Sequence, residues 1–153
     1  MGFDIYGHAP KNKQGDYFRN NVWWWRPLWN YVVNTCDDIL TDDDINAGGF
    51  NDGHLIRAKK AEKIAERLLA YIKAGHTEKY RKQREKELKA LPLEKCTLCK
   101  GTGKRNDDVI KGKCNGCNGK GEKKAIETWY EFDIENVREF AKFCKNSGGF
   151  KIY

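Results

Sequence analysis

No stretch of this sequence approaches the roughly 20 consecutive apolar residues that a membrane-spanning helix needs, so no membrane partner is expected. The opening MGFDIYGHAP has no basic segment ahead of an apolar run, which argues against a secretory signal. Gly2 follows Met1, but position 6 carries Tyr6 where a myristoylation motif needs Ser or Thr. A cytoplasmic location is the expectation. Histidine is scarce: His8, His54 and His76 stand far apart, none in a metalloprotease or nucleophile motif. A P-loop, a dinucleotide-binding fingerprint and a convincing pair of catalytic carboxylates are all missing, so no enzymatic activity is expected. The Asp-rich stretch from Thr41 to Gly53 is not a calcium loop. Counted from Asp42, the required sixth-position Gly and twelfth-position Glu are replaced by Ala47 and Gly53.

What is present argues for an ordered chain. Five Trp, seven Tyr and seven Phe among 153 residues supply large buried areas that can offset chain entropy. The formal charge of +7 is unevenly spread. From His54 to Ala90 there are twelve Lys or Arg against five Glu, whereas Cys36 to Asp52 is acidic and has no Lys or Arg. Such segregation makes a dipolar surface and raises nucleic acid as a partner.

The hydrophobic pattern predicts an α+β fold. Phe3 and Ile5 alternating with Asp4 and Tyr6 predict a first strand, followed by a loop from Pro10 to Gly15. A helix is expected from about Pro27, as its first residue, to Asp38, then a loop over Thr41–Gly53. Leu55, Ala58, Ala61, Ile64, Ala65, Leu68 and Ile72 recur at helical spacing, predicting an amphipathic helix from His54 to about Ala74. Gly75 interrupts it, and Thr77 is positioned to cap a second, solvated helix that ends before Pro92. Alternation from Ile126 to Ile134 predicts a strand. A helix carrying Val137, Phe140, Ala141 and Cys144 follows, stopped by Gly148 and Gly149, with a last strand at Phe150–Tyr153. Residues 1–93 and 125–153 are expected to form one domain, a small sheet of N- and C-terminal strands packed with helices, into which residues 94–124 insert as a metal-binding hairpin.

The insertion carries the strongest motif. CTLCKGTG at Cys96–Gly103 is echoed by CNGCNGKG at Cys114–Gly121, an internal repeat offset by eighteen residues. Each C-x-x-C bend can present two sulfurs, and two bends complete the tetrahedral thiolate set that Zn²⁺ favours. Cys96, Cys99, Cys114 and Cys117 are therefore expected to hold one structural zinc ion. Gly101, Gly103, Gly119 and Gly121 can adopt positive φ and turn backbone N–H groups toward the sulfurs. Four thiolates around Zn²⁺ leave a formal charge of −2, which Lys100, Lys104, Lys113 and Lys120 either balance or exceed to make a nucleic-acid surface. C-x-x-C is also an oxidoreductase motif, but paired repeats with matched glycines favour zinc. The two remaining cysteines, Cys36 and Cys144, fall on apolar helix faces as buried thiols.

These two repeats resemble the cysteine-rich C-x-x-C-x-G-x-G module of DnaJ-type co-chaperones, in the two-repeat, single-site form seen in anti-TRAP. The resemblance covers about thirty residues and implies one zinc ion. It does not imply co-chaperone activity, because the H-P-D tripeptide of a J-domain is nowhere in the chain. The segments MGFDIYG and GGFKIY also resemble parts of small phage and bacterial proteins, which implies a bacterial or viral setting.

Outside the hairpin, Trp23, Trp24, Trp25 and Arg26 form a candidate contact cluster for a protein partner or for stacked bases. Arg57, Lys59, Lys60, Lys63, Arg81, Lys82 and Arg84 are the candidate phosphate contacts, although Glu62 and Glu66 interleave with them as on a solvated helix. The leading expectation is a non-enzymatic zinc protein that binds another protein as an adaptor or inhibitor, for instance a phage factor acting on a host system. Two alternatives stand beside it: nucleic-acid binding through the basic segment 57–89 and the zinc module, and a small-ligand or nucleotide pocket formed by the Trp segment and the Asn-rich loops.

Overall fold

The computed structural model describes residues 2–153. The chain divides into two compact units, one of residues 1–83 with 130–153 and the other of residues 84–129.

In the first unit β1 (Gly2–Gly7) and β2 (Tyr17–Asn21) form an antiparallel hairpin around a 3-10 turn at Lys13–Gly15. β1 also pairs with β8 (Gly149–Ile152), and β8 with β3 (Leu55–Arg57), giving the antiparallel order β2-β1-β8-β3. One face of this sheet is covered by α1 (Val22–Cys36), α3 (Ala58–Lys73) and α5 (Ile134–Asn146). The α+β architecture expected from the sequence is thus the observed one.

Strand alternation sends Phe3, Ile5, Ile56, Phe150 and Ile152 into the core, all almost wholly buried. They meet Trp25, Leu28, Trp29 and Val32 of α1, Ile64 and Leu68 of α3, and Val137, Phe140 and Phe143 of α5. The centre is an aromatic stack: Trp25 lies 5.4 Å from both Phe3 and Trp29, and Phe140 meets Trp25 edge-on at 5.6 Å. Both buried indoles are satisfied. Trp25 Nε1 donates to the Gly48 carbonyl at 2.7 Å and Trp29 Nε1 to that of Ile45 at 3.0 Å.

Several elements depart from the sequence pattern. α1 starts at Val22, five residues before Pro27, because the Asn21 side chain accepts from the N–H groups of Trp23 and Trp24 at 3.0 and 3.1 Å. Pro27 forgoes one helical hydrogen bond, while the register places Trp25, Leu28, Trp29, Val32 and Cys36 on the buried face. The Asp-rich loop contains a helix, α2 (Asp42–Ala47), opened by a capping box between Thr41 and Asp44 and favoured by three acidic side chains in its first turn. Residues 55–57 are a strand because Ile56 pairs with Phe150 in the ladder; the helix begins only at Ala58.

α4 (His76–Ala90) starts ahead of Thr77. Thr77 is not its cap: the side chain is buried, and its hydroxyl shares a 2.8 Å hydrogen bond with that of Tyr31. Gly75 separates α3 from α4 at φ +79°, as its position suggested. The alternating segment 126–134 is not a strand. Thr128 folds back so that its N–H and hydroxyl both donate to the Ala125 carbonyl, at 3.0 and 2.7 Å, making a 3-10 turn at Ile126–Trp129. No sheet edge takes up this segment, and periodicity alone cannot supply one.

The second unit holds two small ladders: β4 (Glu94–Lys95) with β7 (Glu122–Lys123), and β5 (Lys104–Asn106) with β6 (Lys111–Lys113). The cysteine repeats lie between them. Among the described residues no helix is long and apolar enough to cross a membrane.

Candidate metal centre

Each half of the centre is a short strand running into a C-x-x-C bend, and the halves match almost bond for bond. Cys96 N–H donates to Gly121 O at 2.8 Å, and Cys114 N–H to Gly103 O at 2.9 Å, so each repeat is stitched to the end of the other. Within the bends, Gly101 N–H donates to Cys96 O and Gly119 N–H to Cys114 O, at 3.1 and 3.0 Å. Lys100 and Asn118 take left-handed conformations at φ +52° and +51°.

The four thiols are buried together, and all four Sγ atoms lie within 4.8 Å of one another. Cys96 and Cys114 Sγ are 3.9 Å apart, Cys99 and Cys117 Sγ 3.7 Å. A tetrahedral Zn–S₄ centre with ~2.3 Å bonds has an S···S edge of about 3.8 Å. The residues therefore fit a zinc ion. Among the described residues this is the only cluster of three or more His, Cys, Asp or Glu placed to share a metal.

The glycines divide into two kinds. Gly103 and Gly121 turn their N–H groups onto Cys99 and Cys117 Sγ, both at 3.2 Å. Those of Gly101 and Gly119 go to carbonyl oxygens instead. Gly103 and Gly121 sit at φ +74° and +78°, and a Cβ on either would stand 2.4 Å from a carbonyl oxygen, of Gly119 or of Gly101. Gly101 and Gly119 are covered by the aliphatic stems of Lys95 and Lys113, the residues just before Cys96 and Cys114. The repeat thus extends one residue further back than the cysteine motif suggested.

The thiols differ in acidity. Burial opposes ionisation of Cys99, but donors from Gly103 N–H and the Cys117 and Cys96 thiols hold it below an ordinary cysteine. Burial pushes Cys114 up, reinforced by Cys117 and Cys99. A divalent cation reverses this local logic by making all four thiolates favourable.

The remaining candidate residues are dispersed. Trp25 belongs wholly to the core, Trp24 is half-buried, and Trp23 is exposed, 4.8 Å from the Tyr130 ring. Arg26 donates to Tyr130 Oη at 3.1 Å and lies over its ring. Arg57 sits on β3, Lys59, Lys60 and Lys63 on α3, and Arg81, Lys82 and Arg84 on α4. Arg81 and Lys82 both engage Glu78.

One polar cluster matches no sequence motif. Asp44, almost fully buried, accepts from Thr41 N–H and hydroxyl, each at 2.9 Å, and pairs with Lys60. His54 Nε2 lies 2.9 Å from its other oxygen. Burial works against the charge, but these donors hold the carboxyl well below the usual carboxylate range. The T-D-D-D capping box is the local trace of this site; its partners come from ten and sixteen residues away. Asp52 instead accepts from His54 N–H at 3.1 Å.

Fold and site together define the class: an α+β protein carrying a buried four-cysteine centre suited to metal coordination. No protein-family model matches the chain, and neither a curated protein nor a solved structure matches it.

Proposed function

We propose that this chain is a non-enzymatic zinc protein whose DnaJ-like two-repeat module, with one structural Zn²⁺ on Cys96, Cys99, Cys114 and Cys117, presents a surface for a protein partner. The observation that carries the metal is the pair of S···S contacts at 3.9 and 3.7 Å inside a shell of backbone donors. Zinc bound there would staple a unit with little apolar core of its own. Four protein ligands leave no coordination position for a substrate, which supports a structural rather than a catalytic metal.

The protein partner is supported by what this unit leaves uncovered. Leu91 and Leu93 are 41% and 59% exposed. With Leu88, Ala125 and Thr128 they line a groove of about 480 Å³, whose charged lining is Lys124 and the pair Glu85–Lys89, joined at 2.7 Å. Exposed apolar anchors beside Lys124 suit a short amphipathic segment carrying a carboxylate. A phage factor acting on a bacterial host protein is the setting we favour.

Two measurements test this. Metal analysis of protein purified under reducing conditions without chelator should find about one zinc per chain; a value near zero refutes the metal reading. Affinity capture with the full-length protein, with and without nuclease, should retain a stoichiometric protein that Leu93→Asp releases while zinc stays bound. Loss of every partner on nuclease treatment refutes the adaptor reading and leaves the metal site standing.

A further inference from the structure

The helices cover only one face of the four-stranded sheet. The register lines up what stands on the other. Tyr17 pairs with Tyr6, Tyr6 with Lys151, and Lys151 with Leu55, in a single row across all four strands. In the next row Arg19 pairs with Asp4, and Asp4 exchanges backbone hydrogen bonds of 2.7 and 2.8 Å with Tyr153. Arg57 follows Leu55 on the same side of β3.

Three tyrosines therefore meet on this face. Tyr6 is 5.0 Å from Tyr17 and 5.9 Å from Tyr153, ring centre to ring centre. They are 48%, 43% and 44% exposed, respectively. A sheet that needed only a solvated face would carry short polar or charged residues there; three contiguous half-exposed rings are unusual for such a surface.

On the strands of this face cations outnumber carboxylates. Arg19, Arg57 and Lys151 are cationic, and Asp4 is the sole carboxylate on the strands of this face among the described residues. Asp4 is already engaged, accepting from the Tyr17 hydroxyl and lying 3.4 Å from Arg19 Nε. That bond also fixes the Tyr17 ring. The strands of this face offer aromatic planes for stacking and cations for phosphate, their one carboxylate is already bonded, and Leu55 is their only aliphatic side chain here.

We infer that the open face of the β2-β1-β8-β3 sheet binds single-stranded nucleic acid, bases stacking on Tyr6, Tyr17 and Tyr153 and phosphates meeting Arg19, Arg57 and Lys151. Bases within a duplex are stacked on one another and cannot use the rings, so the preference is for single strands. This surface belongs to the first unit and does not depend on the zinc module or its protein partner.

The test is fluorescence anisotropy of labelled dT12, rU12 and a 12-base-pair duplex with the zinc-loaded full chain. Both single strands should bind more tightly than the duplex, and the ratio between them tells DNA from RNA. Tyr6→Leu should weaken binding roughly 5- to 150-fold, the range for loss of one stacked base. Tyr6→Phe, which keeps the ring, should bind nearly as wild type. Tyr153→Leu, at the end of its strand, gives the same reading should Tyr6→Leu fail to fold. Arg57→Gln and Lys151→Gln should each lower the slope of log K against log salt by about 0.7. The inference is overturned by absence of single-strand preference, by equal losses in the Phe and Leu variants, or by binding that disappears only when Lys104 and Lys113 of the second unit are replaced. It is equally overturned if the tyrosines ignore both oligonucleotides but become protected from iodination in a nucleic-acid-free cell extract, which marks a protein interface.

Discussion

Replacing Gly103 with Ala should cost the chain most of its grip on zinc, and the size of the loss can be worked from the backbone. Gly103 sits at φ +74°, where an alanine is strained by about 1–2 kcal/mol. Its new Cβ would stand 2.4 Å from Gly119 O and 3.0 Å from Gly119 C, so one of the two turns must withdraw. Neither can do so freely. Gly103 N–H is held to Cys99 Sγ at 3.2 Å, and its carbonyl receives Cys114 N–H at 2.9 Å.

Loss of the N–H to thiolate bond is worth about 1.5–3 kcal/mol, or roughly 10- to 150-fold in affinity. Gly112→Ala is the control: its φ is +122°, but nothing lies within 4 Å of the added methyl. Zinc affinity should be measured by competition with a chromophoric chelator, and the thiolate-to-metal bands of the Co²⁺ form should report whether four sulfurs still bind. Gly103→Ala and Gly121→Ala should fall together by 10-fold or more beyond Gly112→Ala. Equal affinities in all three variants would falsify the claim that these backbone donors hold the sulfurs in place.

Three further outcomes are expected. Phe140→Ala, in the middle of the aromatic stack and fully buried, should lower stability by about 3–5 kcal/mol in urea unfolding followed by tryptophan fluorescence. Gly48→Ala should cost about 1–3 kcal/mol although its φ of −66° suits any residue, because the methyl would stand 1.8 Å from Trp29 Nε1; near-ultraviolet circular dichroism should show the indole displaced. Asp44→Asn should destabilise by about 3 kcal/mol at neutral pH by stripping Lys60 and His54 of their shared carboxylate. The folded carboxyl titrates below its unfolded value, so its contribution is complete above about pH 5 and fades as pH falls from there. Wild type should lose its advantage over Asp44→Asn in acid, and a constant gap down to pH 2 would contradict the assignment.

The parts of the fold legible in the sequence are those where one residue type has one physical use. Cysteine pairs with glycines at fixed offsets admit few other readings, and the alternation of Phe3 and Ile5 with Asp4 and Tyr6 needed only a neighbour strand to become β1. The rest departs from the local pattern where a stronger local cap or a distant partner overrules it. Asn21 started a helix that Pro27 was expected to start, because its carboxamide reached two N–H groups. Ile56 was drawn from a helical period into the ladder by Phe150, ninety-four residues later. Thr77 had the chemistry of a cap and became the buried partner of Tyr31. The tyrosine face was illegible for the same reason: Tyr6, Tyr17 and Tyr153 are neighbours only once the register is known.

That register also sets an order of events during synthesis. β8 lies between β1 and β3, so one of the two inner strands of the sheet is the last of its strands to leave the ribosome, and β1 must wait with one edge open while more than a hundred residues are added. Every contact of the cysteine centre, by contrast, spans at most about two dozen residues and is complete once Gly121 has emerged. Metal availability would then govern the early stage of folding and the emergence of β8 the late one. A chain ending at Lys124 should already bind metal at its four cysteines, while its first unit, lacking β8, has at most the β1–β2 hairpin of its sheet.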